Sequence, residues 1–200
     1  MIIGLDEVGR GCWAGPLVAG AAALPDGFAV PASADAGWRL DDSKKLSARQ
    51  RERAAYELEQ ANAPYGLGWV TAQELDGLGM TQAVKLAMTR AYQALPIAVR
   101  HRASDVIIDG SINYLSDVVG ISGSRAVVKA DGSIPAVSVA SIMAKVARDR
   151  YMQAADTEYP GYGFAKHVGY GTAIHRAALA ANGPCALHRR SFKPIATLLT

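Results

Sequence analysis

Carboxylates follow three apolar runs of this chain, and they are the residues best suited to chemistry. Asp6 and Glu7 follow "IIGL", Asp109 ends "DVIID", and Asp131 ends "AVVKAD". A single aspartate after a strand is usually a turn former. Four carboxylates at one edge of a sheet would instead repel one another and raise one another's pKa values, unless a cation neutralised them.

A hard divalent ion is the cation that these carboxylates favour. Mg²⁺ and Mn²⁺ prefer oxygen ligands and commonly keep several waters. Zinc is disfavoured, because no His or Cys lies at ligand spacing around these positions. Carboxylates with open metal positions suit phosphodiester hydrolysis, in which one ion activates a water and another stabilises the leaving oxygen. The sequence therefore predicts a Mg²⁺ or Mn²⁺ site.

Strands and helices follow one another along the predicted chain. Residues 1–8 and 16–24 are expected to form neighbouring strands, and 105–109 and 126–131 two more buried strands. "YGLGWVTA" predicts a further short strand. Helices are predicted for "SARQRERAAYELEQANA", with Ser47 as its N-cap, for "TQAVKLAMTRAYQAL" and for "VASIMAKVARDRYMQAA". This order predicts an α/β fold with functional groups at the carboxyl ends of the strands.

Length and composition limit the class of protein. The chain has 200 residues, 50% of them hydrophobic, which suits one domain. The most apolar stretch, "GPLVAGAAAL", is too short to span a bilayer and no basic segment precedes it, so we expect an unexported, cytoplasmic protein without a membrane partner. Cys12 and Cys185 indicate reduced thiols. A monomer is the default expectation.

The charge distribution indicates a polyanionic partner. The net charge is only +3, yet no acidic residue follows Glu158. The basic residues and histidines of this C-terminal part are Lys166, His167, His175, Arg176, His188, Arg189, Arg190 and Lys193. We predict that they face a polyanion, and the alternative is a solvated basic tail without a partner.

The motifs, taken in order, resemble those of a known family. The strings "GLDEVGRG", "DDSKKLS", "IIDG", "VVKAD", "ASIMAKVARDRYM", "YPGYGFAKHVGYGT" and "HRRSFKP" are similar to the successive motifs of bacterial ribonuclease HII, from Ile3 to about Pro194. The resemblance implies a single ribonuclease H-like catalytic domain, a central mixed sheet flanked by helices. Within that domain, residues from about 157 to 200 are expected to form a helical, basic substrate-binding subdomain.

The resemblance also implies an activity. It is divalent-metal-dependent hydrolysis of the RNA strand of RNA–DNA hybrids, and incision of duplex DNA at single embedded ribonucleotides. Water would attack the phosphate on the 5′ side of the ribonucleotide and leave 3′-hydroxyl and 5′-phosphate ends. Such an enzyme would act in ribonucleotide removal and genome maintenance. No protein partner can be identified from the sequence.

Individual residues acquire expected functions from the resemblance. The metal-binding and catalytic acids of the family correspond to Asp6, Glu7, Asp109 and Asp131. The substrate-binding positions correspond to Gly9, Arg10, Gly11, Ser43, Lys44, Lys45 and Tyr170. Glycines let the backbone approach a sugar closely enough to hydrogen-bond a 2′-hydroxyl, the group that distinguishes RNA from DNA. The tyrosine would pack on the deoxyribose that follows the ribonucleotide.

Other basic side chains have more general expected contacts. Ser43, Lys44 and Lys45 are expected to contact backbone phosphates. Lys145 and Arg148 lie on the predicted helix after Asp131 and are candidate cations that hold the acids in place.

Three positions depart from the family pattern. Ala130 replaces a common Gly, Val168 replaces a common Lys, and the pair Cys12 and Trp13 replaces Pro-Leu. None of these changes removes an acid, although the change at residue 168 would weaken one phosphate contact.

Three other functions are alternatives. Ribonuclease HIII prefers continuous hybrids and carries an extra N-terminal binding domain, whereas the first catalytic strand here begins at residue 2. An inactive module would bind hybrids without cutting them, and the retention of all four acids disfavours it. A small-molecule nucleotide-binding protein would need a G-x-G-x-x-G or P-loop string, which the sequence lacks.

Overall fold

A mixed β-sheet forms the centre of the fold. The computed structural model describes residues 1–25, 27–30, 38, 40, 43, 45–118, 120–121 and 123–199. Within this part of the chain the strands are β1 (Ile2–Val8), β2 (Leu17–Leu24), β3 (Tyr65–Val70), β4 (Asp105–Asp109) and β5 (Ser124–Val127). They lie in the order β3-β2-β1-β4-β5. β1 is antiparallel to β2 and parallel to β4, and β5 is parallel to β4.

Helices cover the sheet and form most of the C-terminal part. They are α1 (Ala48–Gln60), α2 (Ala72–Leu78), α3 (Met80–Ala94), α4 (Ile97–Arg102), α5 (Pro135–Glu158), α6 (Phe164–His167), α7 (Ala173–Asn182) and α8 (Lys193–Ala196). The predicted N-cap of α1 is confirmed, because the Ser47 hydroxyl accepts a hydrogen bond from the Gln50 backbone and the Gln50 side chain accepts one from the Ser47 backbone. The predicted α/β architecture is confirmed.

The two longest helices, α3 and α5, pack on opposite faces of the sheet. The core on one face joins β1 to α3, through side chains such as Leu5 and Met88. On the other face, α5 packs with α1. Gly20 of β2 allows α5 to approach closely, since a Cβ at this position would lie 2.2 Å from the Ala140 carbonyl oxygen. The sheet is therefore supported by packed helices on both faces.

Three parallel strands direct their carboxyl ends to one edge of the sheet. These are β1, β4 and β5. The strand predicted for 126–131 is wrong in its bounds, because β5 ends at Val127 and Asp131 lies in a 3₁₀ helix, Ala130–Gly132. Lys129 has a φ of 59°, a left-handed conformation that ends the extended backbone before the acid.

The C-terminal helices pack on the far half of α5. A separate apolar cluster joins Met152 of α5 to Phe164, Leu179 and Ile195, and it includes Ala14 from the turn after β1. The C-terminal part is therefore packed directly behind that turn. In the part of the chain that the structure describes, every helix is too short or too polar to cross a membrane.

Candidate active site

The register of the sheet brings two of the predicted acids side by side. β1 and β4 pair in parallel with Leu5 opposite Ile108, so the next residues, Asp6 and Asp109, are neighbours at the strand ends. The Asp6 side chain is buried, with 7% of its surface exposed. Asp6, Glu7 and Asp109 interact electrostatically.

Asp109 connects this pair to the fourth acid. Its Oδ1 accepts hydrogen bonds from the backbone N–H groups of Ala130, at 2.7 Å, and Asp131, at 3.4 Å. These bonds hold the start of the 3₁₀ helix against the end of β4. Asp131 is buried, with 6% exposure, and it lines the same cavity as Asp109. The four predicted acids therefore lie along one edge, as their positions after strands suggested.

Burial dominates the electrostatics of this edge. Burial, together with the negative charges of Glu7 and Asp109, raises the pKa of Asp6 to about 7, against a hydrogen bond from Ser141 that lowers it. Burial likewise raises the pKa of Glu7, while Arg10 lowers it through an ion pair between Nη1 and Oε1 at 3.1 Å. Without a cation, Asp6 is therefore close to half protonated at neutral pH.

The donor chemistry of these residues fits a hard divalent ion. Every candidate ligand is a carboxylate, which Mg²⁺ and Mn²⁺ prefer. A divalent charge would offset both the burial cost and the repulsion that raise the pKa of Asp6. No three His, Cys, Asp or Glu side chains within the described ranges already lie close enough together to hold a metal. Ligand rotamers would therefore adjust on binding.

Asp6 also receives support from a chain of two serine hydroxyls. Ser141 of α5 hydrogen-bonds the Asp6 carboxyl. Its Oγ lies 2.8 Å from the Oγ of Ser43, which is buried with 4% exposure. Ser43 was predicted to contact phosphates, but its side chain points inward to Ser141. The buried carboxyl explains this orientation, since it needs hydrogen-bond donors that water cannot supply.

We expect Ser141→Ala to lower kcat about tenfold, with little change in KM, for the hybrid cleavage that the family resemblance implies, because the Asp6 carboxyl loses the donor that orients it. Steady-state kinetics measure this. The matched control is Ser104→Ala, which removes an exposed hydroxyl bonded to the Met1 carbonyl. An unchanged kcat in Ser141→Ala would show that the hydroxyl does not orient the acid.

Lysines lie beside the acids in an open cavity of about 550 Å³. Its lining includes Lys45, Asp109, Lys129 and Asp131. Lys45 was predicted to bind substrate, and its exposed position at this cavity suits a phosphate contact. Lys44 lies outside the described residues. Lys129 was not predicted as a site residue from the sequence, although its position two residues before Asp131 could have indicated that it lies near the acids.

The turn after β1 lies against the loop that carries Tyr170. Gly9 has a φ of 90°, and a Cβ there would lie 2.4 Å from Nε of Arg148, so only glycine fits. Tyr170 is 42% exposed, and its ring lies 4.0 Å from where a Gly11 Cβ would be. Gly11 and Tyr170 thus form one exposed surface on the turn that follows β1.

Lys145 and Arg148 contact other partners than the acids. Lys145 Nζ lies 2.7 Å from Asp149 Oδ1, a neighbour on the same helix. Arg148 is fully buried and donates to the carbonyls of residues 14, 16 and 168 at 2.8 to 3.2 Å. The prediction that these cations hold the acids in place is therefore wrong, because closer acceptors on the turn and on α5 engage them.

The basic residues of the C-terminal part divide into buried and exposed sets. The prediction that they face a polyanion is wrong for those with 0 to 6% exposure, namely His167, His175, His188 and Arg189. Those that remain exposed are Lys166, Arg176, Arg190 and Lys193. The side chains of the buried set complete the interior behind the Tyr170 loop.

The buried histidines form a neutral hydrogen-bonded network. His175 Nδ1 lies 3.0 Å from the Tyr170 carbonyl, which can only accept, so Nε2 of His175 accepts from Nε2 of His188 at 3.0 Å. Burial lowers the pKa of both rings to about 4. Both are therefore neutral at physiological pH, and they hold the backbone of Tyr170 in place.

Comparison with known proteins finds similarity over nearly the whole chain. A family model described as Ribonuclease HII matches residues 3–195. Ribonuclease HII of Nitratidesulfovibrio vulgaris is 44% identical over 199 residues, covering 96% of this chain and 86% of the relative. The crystal structure of ribonuclease H2 from Pyrococcus horikoshii OT3 aligns with a TM-score of 0.79 and 25% identity, covering 98% of this chain and 96% of that one.

A third match has the same fold, with a lower sequence identity than the Nitratidesulfovibrio vulgaris relative. Bst-RNase HIII, crystallised in complex with Mn²⁺, aligns with a TM-score of 0.76 and 24% identity, over 99% of this chain and 68% of that one. The sequence is thus much closer to the HII relative than to this HIII structure.

Proposed function

Because this chain belongs to the ribonuclease HII family, whose model it matches over residues 3–195, we propose that it incises duplex DNA on the 5′ side of single embedded ribonucleotides. The chain is a ribonuclease H endonuclease, and its family acts on RNA–DNA hybrids. The proposal adds the ribonucleotide junction as a substrate. Such incision would begin the removal of ribonucleotides from DNA.

One observation carries the proposal: Gly11 and Tyr170 form an exposed surface on the turn that directly follows the acids of β1. Gly11 follows Glu7 by four residues, and Tyr170 packs beside it. A sugar bound against Gly11 would therefore have its neighbouring phosphate close to the carboxylates. The aromatic ring offers an apolar face to the next sugar, which in a junction lacks the 2′-hydroxyl.

Each set of residues has a distinct task in this mechanism. Asp6, Glu7, Asp109 and Asp131 would hold the divalent metal on which the family depends, and its chemistry is activation of water and stabilisation of the leaving oxygen. Arg10 holds Glu7 through its ion pair. The glycine backbone contacts the 2′-hydroxyl, and Tyr170 packs on the following deoxyribose. Ser141 keeps the Asp6 carboxyl oriented.

Backbone affinity comes from exposed basic residues near the cavity. Lys45 and Lys129 line it. Contacts of this kind are independent of base sequence, and they weaken as the salt concentration rises, because the release of counterions from the nucleic acid then gains less free energy. Mg²⁺ and Mn²⁺ both suit the carboxylates, and we propose that either supports the reaction.

A panel of labelled duplexes tests the proposal. The purified protein is incubated with Mg²⁺ or Mn²⁺ and with an all-DNA duplex, the same duplex carrying one ribonucleotide, and a continuous RNA–DNA hybrid. We expect cleavage of the last two and none of the first. Cleavage of the continuous hybrid alone would contradict the junction proposal and favour an HIII-like preference. Binding without any cleavage would favour an inactive module.

Gly11→Ala separates recognition from folding. The added Cβ would meet only the Tyr170 ring, at 4.0 Å, so the free protein should keep its stability. We expect kcat/KM for ribonucleotide-containing duplexes to fall at least about tenfold, because the methyl group occupies space that the sugar needs.

The matched control is Gly77→Ala, at an exposed position of α2, where a Cβ meets nothing within 4 Å. It should leave cleavage unchanged. Thermal melts verify that both variants are folded, and cleavage assays measure the effect. Wild-type kcat/KM in folded Gly11→Ala would contradict a sugar contact at this glycine.

A further inference from the structure

Two buried guanidinium groups lie behind the turn that follows β1. Arg148 and Arg189 are both 0% exposed. Neither forms an ion pair with a carboxylate among the described residues, and both donate to backbone carbonyls instead. Burying an arginine without a counter-charge is costly, and apolar side chains of similar size often stabilise a protein more. The burial cost of these two charges directs attention to what their backbone hydrogen bonds hold in place.

Arg189 comes from the C-terminal segment and holds the turn at three points. Its Nη1 donates to the Arg10 carbonyl at 3.0 Å, and its Nε donates to the Gly15 carbonyl at 3.1 Å. Its backbone N–H donates to the Trp13 carbonyl at 2.8 Å. The planar guanidinium fixes the directions of the two side-chain bonds, which a flexible cation could not do.

The bond to Arg10 also sets the direction of the next amide. In a planar trans peptide, the carbonyl and the following N–H point in opposite directions. Because the Arg10 carbonyl points to the buried guanidinium, the Gly11 N–H points away from the interior. Gly11 is exposed, and no backbone carbonyl of the described residues accepts from its N–H. A free donor therefore faces the Tyr170 surface.

We propose that Arg189 is a positioning residue for ribonucleotide recognition, which turns the Gly11 N–H outward to hydrogen-bond the 2′-hydroxyl of the substrate. This inference rests on the proposed function, since it requires that the Gly11 surface binds the ribonucleotide. It assigns the C-terminal segment a second task. Besides presenting basic residues to the duplex, this segment shapes the loop that distinguishes RNA from DNA.

Arg189→Met tests the proposal by binding rather than cleavage. Affinities for the one-ribonucleotide duplex and the all-DNA duplex are measured by fluorescence anisotropy in EDTA. We expect the preference for the ribonucleotide to fall about tenfold, the value of one hydrogen bond, with little change in affinity for DNA. The control, Arg190→Met, removes an equal charge from the exposed neighbouring residue and should lower the affinity for both duplexes equally. A folded Arg189→Met protein with wild-type preference would overturn the proposal.

The wild-type protein supplies a second test that does not depend on the stability of the variant. With ¹⁵N-glycine labelling, the Gly11 amide is identified as the signal missing in Gly11→Ala. We expect it to exchange rapidly with water in the free protein, and to shift with the one-ribonucleotide duplex but not with all-DNA duplex. Protection of this amide in the free protein would overturn the inference, because the N–H would then not face outward.

Failure of the two ideas can be told apart. If wild type neither cuts nor prefers the ribonucleotide duplex, the proposed function fails, and the inferred role in recognition falls with it. If wild type cuts the junction and Arg189→Met keeps the full preference, only the role of Arg189 fails.

Discussion

Asp6→Asn is expected to reduce hybrid cleavage by about 10³-fold or more while the protein still binds the duplex. The reason is that an amide cannot replace the charge of a buried carboxylate that would hold the metal, and losses of strong electrostatic groups at a reacting centre have this size. Asn keeps the shape of the side chain and can accept the Ser141 hydrogen bond. Cleavage rates and anisotropy measure the two properties separately.

The matched control for this variant is Asp105→Asn, at the opposite end of β4. Asp105 pairs with Arg125 at 2.9 Å, far along the strand from Asp109. Its loss should leave kcat near the wild-type value. If Asp6→Asn cleaves as fast as Asp105→Asn, the carboxylate edge is not the catalytic centre, and a binding module becomes the better description.

The second large expected effect of Asp6→Asn is on the stability of the metal-free protein. Because burial raises the pKa of Asp6 from 3.8 to about 7, the folded state favours the protonated carboxyl. The stability that Asp6 contributes is thus complete below pH 3.8 and is lost as the pH rises through 7. The corresponding loss is on the order of 4 kcal/mol at pH 8. In EDTA, Asp6→Asn should therefore melt roughly 10 °C above wild type at pH 8.

The buried histidines require that this effect be measured as a difference between two proteins. The pKa values of His175 and His188 are lowered from 6.5 to about 4, so their contribution is complete above pH 6.5 and is lost as the pH falls through 4. In wild type, the contribution of the histidines to the pH dependence of stability opposes that of Asp6. It cancels when the Tm of wild type is compared with that of Asp6→Asn at the same pH. A difference in Tm that does not change between pH 4 and pH 8 would contradict the raised pKa.

Mg²⁺ should restore the stability that wild type loses at pH 8 through ionisation of Asp6. A ligand that binds only the folded state stabilises it, and a divalent ion removes the reason for the raised pKa of Asp6. We therefore expect Mg²⁺ to raise the Tm of wild type at pH 8 and to have little effect on Asp6→Asn. An equal Mg²⁺ response in both proteins would place the ion elsewhere.

The positions of the acids in the fold could be predicted because local patterns encode them. Each of Asp6, Glu7 and Asp109 lies within or at the end of an apolar strand. Parallel pairing of β1 and β4 then brings these ends together, a general rule of α/β sheets. The α1 N-cap and the helix α3 were equally local, and both are confirmed.

The interior of the C-terminal part was beyond prediction from local patterns. Charged and aromatic residues after Glu158 suggest a surface that faces solvent, whereas Arg189 and the histidines point inward. Their partners lie far away in sequence, as in the bond from Arg189 to the Arg10 carbonyl. The same is true of Ser43, whose partner Ser141 lies on another element. Only tertiary packing decides these directions.

Mapping the product ends from a duplex with one ribonucleotide is the sharpest test of junction incision. With wild-type protein and Mg²⁺, we expect a single nick on the 5′ side of the ribonucleotide, a 3′-hydroxyl on the upstream DNA, and a 5′-phosphate on the ribonucleotide. Asp6→Asn should give no nick under the same conditions. A nick on the 3′ side, or a 2′,3′-cyclic phosphate end, would contradict the proposed function, because the 2′-hydroxyl would then be the attacking group instead of the group that the Gly11 turn recognises.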